Sequence, residues 1–333
     1  NPIRSILSRV VNTTGRQPGL RRHTLAVSPK KGFLVLTLQH QDRIMSETHQ
    51  TLLDLLALET LDVDLFRGTG QGGETSTRIF GGQVIGQALA AAYGTVPDRL
   101  CHSLHAYFIR PGDPEVPVVY QVDRARDGGS FTTRRVVAIQ RGKQILNMSA
   151  SFHNGEDGWD HQHEMPVVDG PENLKDRTAI RAEDVHKLPE AYRADFLRPR
   201  PIDIREIAPR DTFDPVPTDD KNHLWFRMSQ AAGTTPQMQH CLLAYASDMS
   251  LLASSLRPHG LTWFKGEVMS ASLDHAMWFH ASPQFQDWHL YTMDCPWTGG
   301  GRGFNRGTIF DSTGKLIAST AQEGLVRPMK PRG

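Results

Sequence analysis

The chain states one folding unit twice, and that duplication constrains its fold more than any single motif. In the first half His105-Ala106-Tyr107-Phe108 leads to Gly128-Gly129, Arg134 and Gly142-Lys143. In the second half His275-Ala276-Met277-Trp278 leads to Gly300-Gly301, Arg306 and Gly314-Lys315. From the glycine pair to the Gly-Lys turn the copies keep an offset of 172 residues; at the His-Ala pairs the offset is 170. Small-residue runs follow in both, at Ser149-Ala150-Ser151 and Ser319-Thr320-Ala321. A period of this length predicts two fused domains rather than a solenoid. With 333 residues, each can enclose a core of its own. Because a duplicated unit needs only one chemically competent copy, differences between the copies point to the site.

The unit itself can be read from its patterning. Small and apolar residues dominate 82–93, which carries no charge, and this predicts a helix buried on most sides. Segments 102–109, 116–124, 131–140 and 144–153 are rich in Val, Ile, Phe and Tyr and are separated by turn residues, so they read as strands of an antiparallel meander. Before them, residues 49–58 read as a short amphipathic helix, and residues 67–73 as a glycine-rich turn without the ending of a phosphate-binding loop. Residues 155–200 are charged and proline-rich and read as a linker with one helical patch near 182–196. The unit then restarts with strands near 202–208 and 223–229. Thr235-Pro236 opens a helix to about Leu256, and strands follow near 270–280, 288–294, 302–310 and 315–326. The expected architecture is α+β. Its divisions are 45–154 and 201–328 for the two units, 155–200 for the linker and 329–333 for a tail.

Composition narrows the function. Residues 1–44 hold eight Lys/Arg against the single acid Asp42, a balance of +7, while the remainder carries −6. The first methionine is Met45, and this basic leader is read as a disordered extension or upstream sequence, with an organellar transit peptide as the other reading. It lacks the interleaved aromatics that suit a nucleic-acid arm, and no nucleic-acid partner is expected. Cys101, Cys241 and Cys295 are odd in number and widely spaced, which fits a reducing compartment rather than a disulfide framework or zinc site. No apolar run approaches the length of a bilayer span, and no membrane partner is expected. A nucleophile elbow, His-Glu-x-x-His, a Walker loop and Cys-x-x-Cys are all missing. His161 and His163 lack the further ligands of a defined metal site.

The more suggestive residues are polar groups where the pattern predicts burial. Asp248 falls at the margin of the stripe Leu242, Leu243, Ala246, Met249 and Ala253, as a boundary aspartate or a carboxylate at a cleft. Gln322 lies in a small-residue strand at the position of Ala150 in the first copy, either as a structural amide or close to a ligand. Ser272 opens the next strand segment where the first copy has His102, and Asp274 and His275 beside it form a rival acid/base pair. The first copy's helix offers no carboxylate. Arg110, Arg134, Arg302 and Arg306 are open candidates either for an anion-binding patch or for surface and structural roles.

Together these segments resemble the type II acyl-CoA thioesterase family. The first half carries the likeness in Phe80-Gly-Gly-Gln-Val-Ile-Gly-Gln-Ala-Leu89, His102 to Gly112 and Arg126 to Val136. The second carries it in Leu243-Ala-Tyr-Ala-Ser-Asp248, Leu273 to His280, Arg302-Gly-Phe-Asn-Arg-Gly307 and Ser319-Thr-Ala-Gln-Glu-Gly324. The resemblance implies a double hotdog, each unit a central helix wrapped by an antiparallel sheet. It further implies hydrolysis of medium- to long-chain fatty acyl-CoA to free acid and CoA, with no cofactor or metal. The family's catalytic positions fall on Asp248, Ser272 and Gln322, which would orient a water for direct attack on the thioester. Bacterial members often carry threonine at the hydroxyl position; serine keeps the donor and acceptor, so a change in packing is expected rather than in mechanism. Two other functions stay open: a hotdog enoyl-CoA hydratase or dehydratase using His275 and Asp274, and a non-catalytic acyl-CoA-binding protein. The chain is expected to be cytoplasmic, since it ends Met329-Lys-Pro-Arg-Gly333 without a Ser-Lys-Leu-type address, and to form a dimer or tetramer.

Overall fold

The computed structural model describes residues 52–70, 78–198, 200–228 and 231–329. The basic leader, the start of the helix expected over 49–58 and the end of the glycine-rich turn lie outside these residues; 52–56 are helical. A short hairpin not anticipated from the sequence follows, β1 (Glu59–Asp62) and β2 (Leu65–Gly68), and takes in part of that turn. The rest of the first half is the expected unit. Helix α1 (Gly81–Tyr93) is followed by β3 (Leu100–Phe108), β4 (Val118–Asp127), β5 (Phe131–Gln140) and β6 (Lys143–His153). Along β5, Thr132, Arg134, Val136 and Ala138 are buried while their neighbours face outward, the period of a strand with one covered face.

Residues 155–200 do more than link. Asp176 caps a helix α2 (Arg177–Asp184) by accepting Thr178 N–H at 2.7 Å, and α3 (Glu190–Phe196) follows, so the single expected helical patch is two helices. Met165, Val168 and Leu174 pack on Trp225, Leu290 and Phe310, giving the segment an apolar reason to lie against the second half. That half comprises β7 (Asp203–Ile207), β8 (Asn222–Arg227), helix α4 (Pro236–Ser247), β9 (Val268–Ser272), β10 (Asp274–Phe279), β11 (His289–Gly299), β12 (Arg302–Asp311) and β13 (Leu316–Pro328). The N-terminus of α4 is capped as expected by Thr235, which accepts Met238 N–H at 3.2 Å. The helix stops at Ser247, well short of Leu256: Asp248 is its C-cap residue and the chain turns left-handed at Ser250, φ 63°.

All the strands form one antiparallel sheet in the order β1-β2-β4-β5-β6-β3-β10-β13-β12-β11-β8-β7, with β9 also on β13. The halves join at β3 and β10, where Ala106 lies opposite His275 and His105 opposite Ala276. Helices α1 and α4 meet inside, so close that a Cβ on Gly82 would collide with the Tyr245 carbonyl oxygen. Leu56, Ile85, Tyr120 and Phe152 of the first half share one continuous apolar core with Leu243, Met277 and Tyr291 of the second.

The sheet corrects the register of the repeat. His275 is buried but His105 is exposed, so the two His-Ala pairs are not equivalent positions. The hairpins match Gly128–Phe131 with Gly299–Arg302, which pairs buried Arg134 with buried Asn305 and exposed Arg135 with exposed Arg306. The sequence match of Arg134 with Arg306 is thus one residue out, and in a strand one residue exchanges the faces. The β12–β13 turn is one residue longer than the β5–β6 turn, closing Asp311 to Lys315 where the first half pairs Gln140 with Lys143. Beyond that turn the offset of 172 holds, with Ala150 and Gln322 both buried.

Candidate active site

Asp248 is the C-cap of α4 and only 8 % exposed. Held by that helix alone it would sit at the wrong end of a macrodipole, since a helix C-terminus carries partial negative charge. The antiparallel crossing of the helices brings the opposite end of α1 to it. Gly82 N–H donates to Asp248 Oδ2 at 2.9 Å, and a Cβ on Gly81 would stand only 2.6 Å from that oxygen. The first half therefore reaches Asp248 through the backbone N–H of Gly82. No side chain advertises this contact, so the sequence showed a glycine pair and not its use.

The other two residues arrive from the sheet. Strand β9 ends at Ser272, whose Oγ donates to Asp248 Oδ1 at 3.4 Å. Gln322 on β13 is fully buried, and its Nε2 donates to Ser272 Oγ at 2.6 Å. Asp248, Ser272 and Gln322, expected from the resemblance, thus form one connected group. Its first-half counterparts differ from the sequence match at one place. Cys101 is opposite Phe152 much as Ser272 is opposite Gly324, so Cys101 and not His102 holds the equivalent position. Burial pushes the Cys101 thiol well above its ordinary range. His102 instead bonds Ser151 Oγ at 2.8 Å.

The rival pair Asp274 and His275 is not assembled. Adjacent residues of a strand face opposite ways. A one-residue slip at Leu273 separates β9 from β10 along β13, and Glu323 N–H there is taken by Asp274 Oδ1 at 2.7 Å. Partial burial raises the Asp274 carboxyl above its usual value, with that backbone bond opposing. His275 turns inward, its Nδ1 2.8 Å from Gln322 Oε1 and its Nε2 2.9 Å from Ser247 Oγ.

The candidate arginines each have partners within the protein. Arg134 is buried, donating to Thr95 Oγ1 at 2.8 Å and pairing with Asp127 at 2.5 Å. Arg302 pairs with Glu323 at 3.0 Å and Arg306 with Asp294 at 2.6 Å, and Arg110 donates to the Gln144 carbonyl at 2.8 Å. Arg78 was not singled out in the sequence. It reaches the carbonyl of Ser270, two residues from Ser272, at 3.4 Å. Among the described residues no group of three or more His, Cys, Asp or Glu could hold a metal ion.

The family model of the acyl-CoA thioesterase N-terminal domain matches residues 72–153, and that of the C-terminal domain matches 171–326. Acyl-CoA thioesterase 2 of Haemophilus influenzae is 37% identical over 285 residues, covering 85% of this chain and 99% of that protein. Acyl-coenzyme A thioesterase 8 of Rattus norvegicus is 41% identical over 287 residues, covering 84% and 89%. Among solved structures, an acyl-CoA thioesterase II of Mycobacterium marinum superposes with a TM-score of 0.68 at 38% identity, covering 83% and 98%. A hot dog protein of unknown function from Alicyclobacillus acidocaldarius shares the fold, with a TM-score of 0.65 at 21% identity.

Proposed function

The chain belongs to the type II acyl-CoA thioesterase family, and from that premise we propose that it hydrolyses medium- to long-chain fatty acyl-CoA by direct attack of a water held by Asp248, Ser272 and Gln322. The observation that carries this mechanism is the unbroken hydrogen bonding from Gln322 through Ser272 to Asp248. The water oxygen adds to the thioester carbonyl carbon while Asp248 takes one of its protons. The C–S bond then breaks, and the proton passes to the departing thiolate, leaving free acid and CoA. Ser272 and the Gln322 amide orient the water rather than bond to carbon. The guanidinium of Arg78 lies close enough to β9 to favour the anionic CoA.

Asp248→Asn and Gln322→Ala should each lower kcat on the order of 100-fold in a free-thiol assay, with the fold intact by circular dichroism. A wild-type rate in either variant sinks the mechanism. Mass spectrometry of a single turnover should find no acyl group on Ser272; an acyl-serine would replace the water by a serine nucleophile. The hydratase alternative lacks its acid/base pair, because Asp274 and His275 face apart. A panel of acyl-CoA lengths tests the chain-length preference.

No described helix is long and apolar enough to cross a membrane. Three free, buried cysteines fit a reducing, cytoplasmic setting, in which the enzyme is taken as a homo-oligomer of two or four chains. Light scattering at working concentration measures that number.

A further inference from the structure

The buried polar chain does not stop at Gln322. His275 is fully buried on the inner face of β10, where its strand neighbours Met277 and Phe279 are apolar. An apolar residue at 275 would simply continue that stripe. A buried imidazole needs partners to offset its desolvation, and the partners here lead to the site: Gln322 Oε1 at 2.8 Å from Nδ1 and Ser247 Oγ at 2.9 Å from Nε2.

The ring and the amide constrain each other. An amide nitrogen only donates and an amide oxygen only accepts. With the hydrogen on His275 Nδ1, the Gln322 oxygen turns to the ring and its nitrogen to Ser272. Ser272 then accepts from Gln322 and gives its own hydrogen to Asp248. With the hydrogen on Nε2 alone, the amide must reverse, Ser272 must donate to Gln322, and its hydrogen is lost to Asp248. Ser247 selects between these arrangements. Its single hydroxyl hydrogen has two acceptors in reach, His275 Nε2 and the Ala244 carbonyl oxygen, each at 2.9 Å. Donation to Nε2 places the ring hydrogen on Nδ1 and aligns every bond from Ser247 to Asp248 in one direction. A carboxylate at the far end favours that alignment, since hydrogen bonds in a chain polarise one another.

We infer that His275, held by Ser247, is a positioning residue that fixes the Gln322 amide with its nitrogen on Ser272. This role rests on Asp248, Ser272 and Gln322 being the site. It makes His275 neither an acid nor a base in the reaction.

The test is steady-state kinetics on the full-length chain. His275→Leu should lower kcat at least about tenfold with little change in KM. His275→Asn keeps an amide N–H that can reach the Nδ1 position, and it should recover most of the rate. In a Gln322→Ala background, His275→Leu should add no further loss, because the amide it orients is gone. If His275→Leu does not fold, Ser247→Ala removes only the hydroxyl and should lower kcat by about threefold, again with no added loss beside Gln322→Ala. A folded His275→Leu, or in its place Ser247→Ala, with wild-type kcat overturns the inference. So does a His275→Asn as inactive as the leucine variant, or losses that multiply with that of Gln322→Ala. A wild-type rate in Gln322→Ala itself would overturn the site, and the role of His275 with it.

Discussion

Asp248 stands where two helix ends of opposite sign meet, so its position depends on backbone that has no side chain of its own. Gly81→Ala would set a methyl 2.6 Å from Oδ2 and displace the carboxylate. It should lower kcat by about tenfold to a hundredfold while leaving KM near its original value, measured across one acyl-CoA series. His240 gives a second prediction at this scale. It is buried against Phe279 with ring centroids 4.6 Å apart and bonds Tyr93 Oη at 3.0 Å. Burial lowers its imidazole from 6.5 to about 4. The folded value is the lower one, so as pH falls the unfolded chain takes up this proton first. Stability is therefore lost from pH 6.5 down to about 4, by on the order of 3 kcal/mol from this group. His240→Asn keeps an acceptor for Tyr93 and should flatten that part of the stability profile in urea titrations at successive pH values. Sequence alone left Asp248 and Gln322 balanced between structural and chemical roles and read Ser272 as an ordinary strand serine, and only the resemblance selected the three. It could not orient His275, because the side a strand residue faces depends on a register fixed by long-range pairing.

Among the elements, the buried helix and the strand meander were legible because charge-free and alternating stretches have few other uses. Two boundaries and one element were not. The α4 helix ends at Ser247 and the chain turns left-handed at Ser250, although apolar spacing continues; the strand expected over 270–280 breaks at Leu273; and the β1–β2 hairpin is two strands of four residues with mixed charged and apolar side chains, too short for a clear alternation. The repeat was visible, but its phase was not, since the glycines of two turns align equally well one residue apart. The tight helix crossing makes its own prediction. Gly82→Ala would press a methyl against the Tyr245 carbonyl oxygen and should destabilise the fold by about 1–3 kcal/mol, read as a lower urea midpoint. Thr235→Ala removes the cap of α4 and should cost about 1 kcal/mol in the same titration.

For the molecule as a whole, the β3–β10 seam and the α1–α4 crossing bind two units into one core. Neither unit is expected to act alone. Residues 45–154 and 155–333, produced separately, should each lack thioesterase activity, and mixing them should restore it only where they co-elute in size-exclusion chromatography. Activity in the isolated 155–333 fragment would show that the Gly82 N–H is dispensable. The crossing also places the enzyme's competence in time. A chain leaving the ribosome completes its first half long before Asp248 exists, and Asp248 is made before Gln322. On the proposed mechanism acyl-CoA is out of danger from a chain still lacking β13: hydrolysis waits until Gln322 has been delivered and α1 has found α4, so the appearance of activity reports that the crossing has been made.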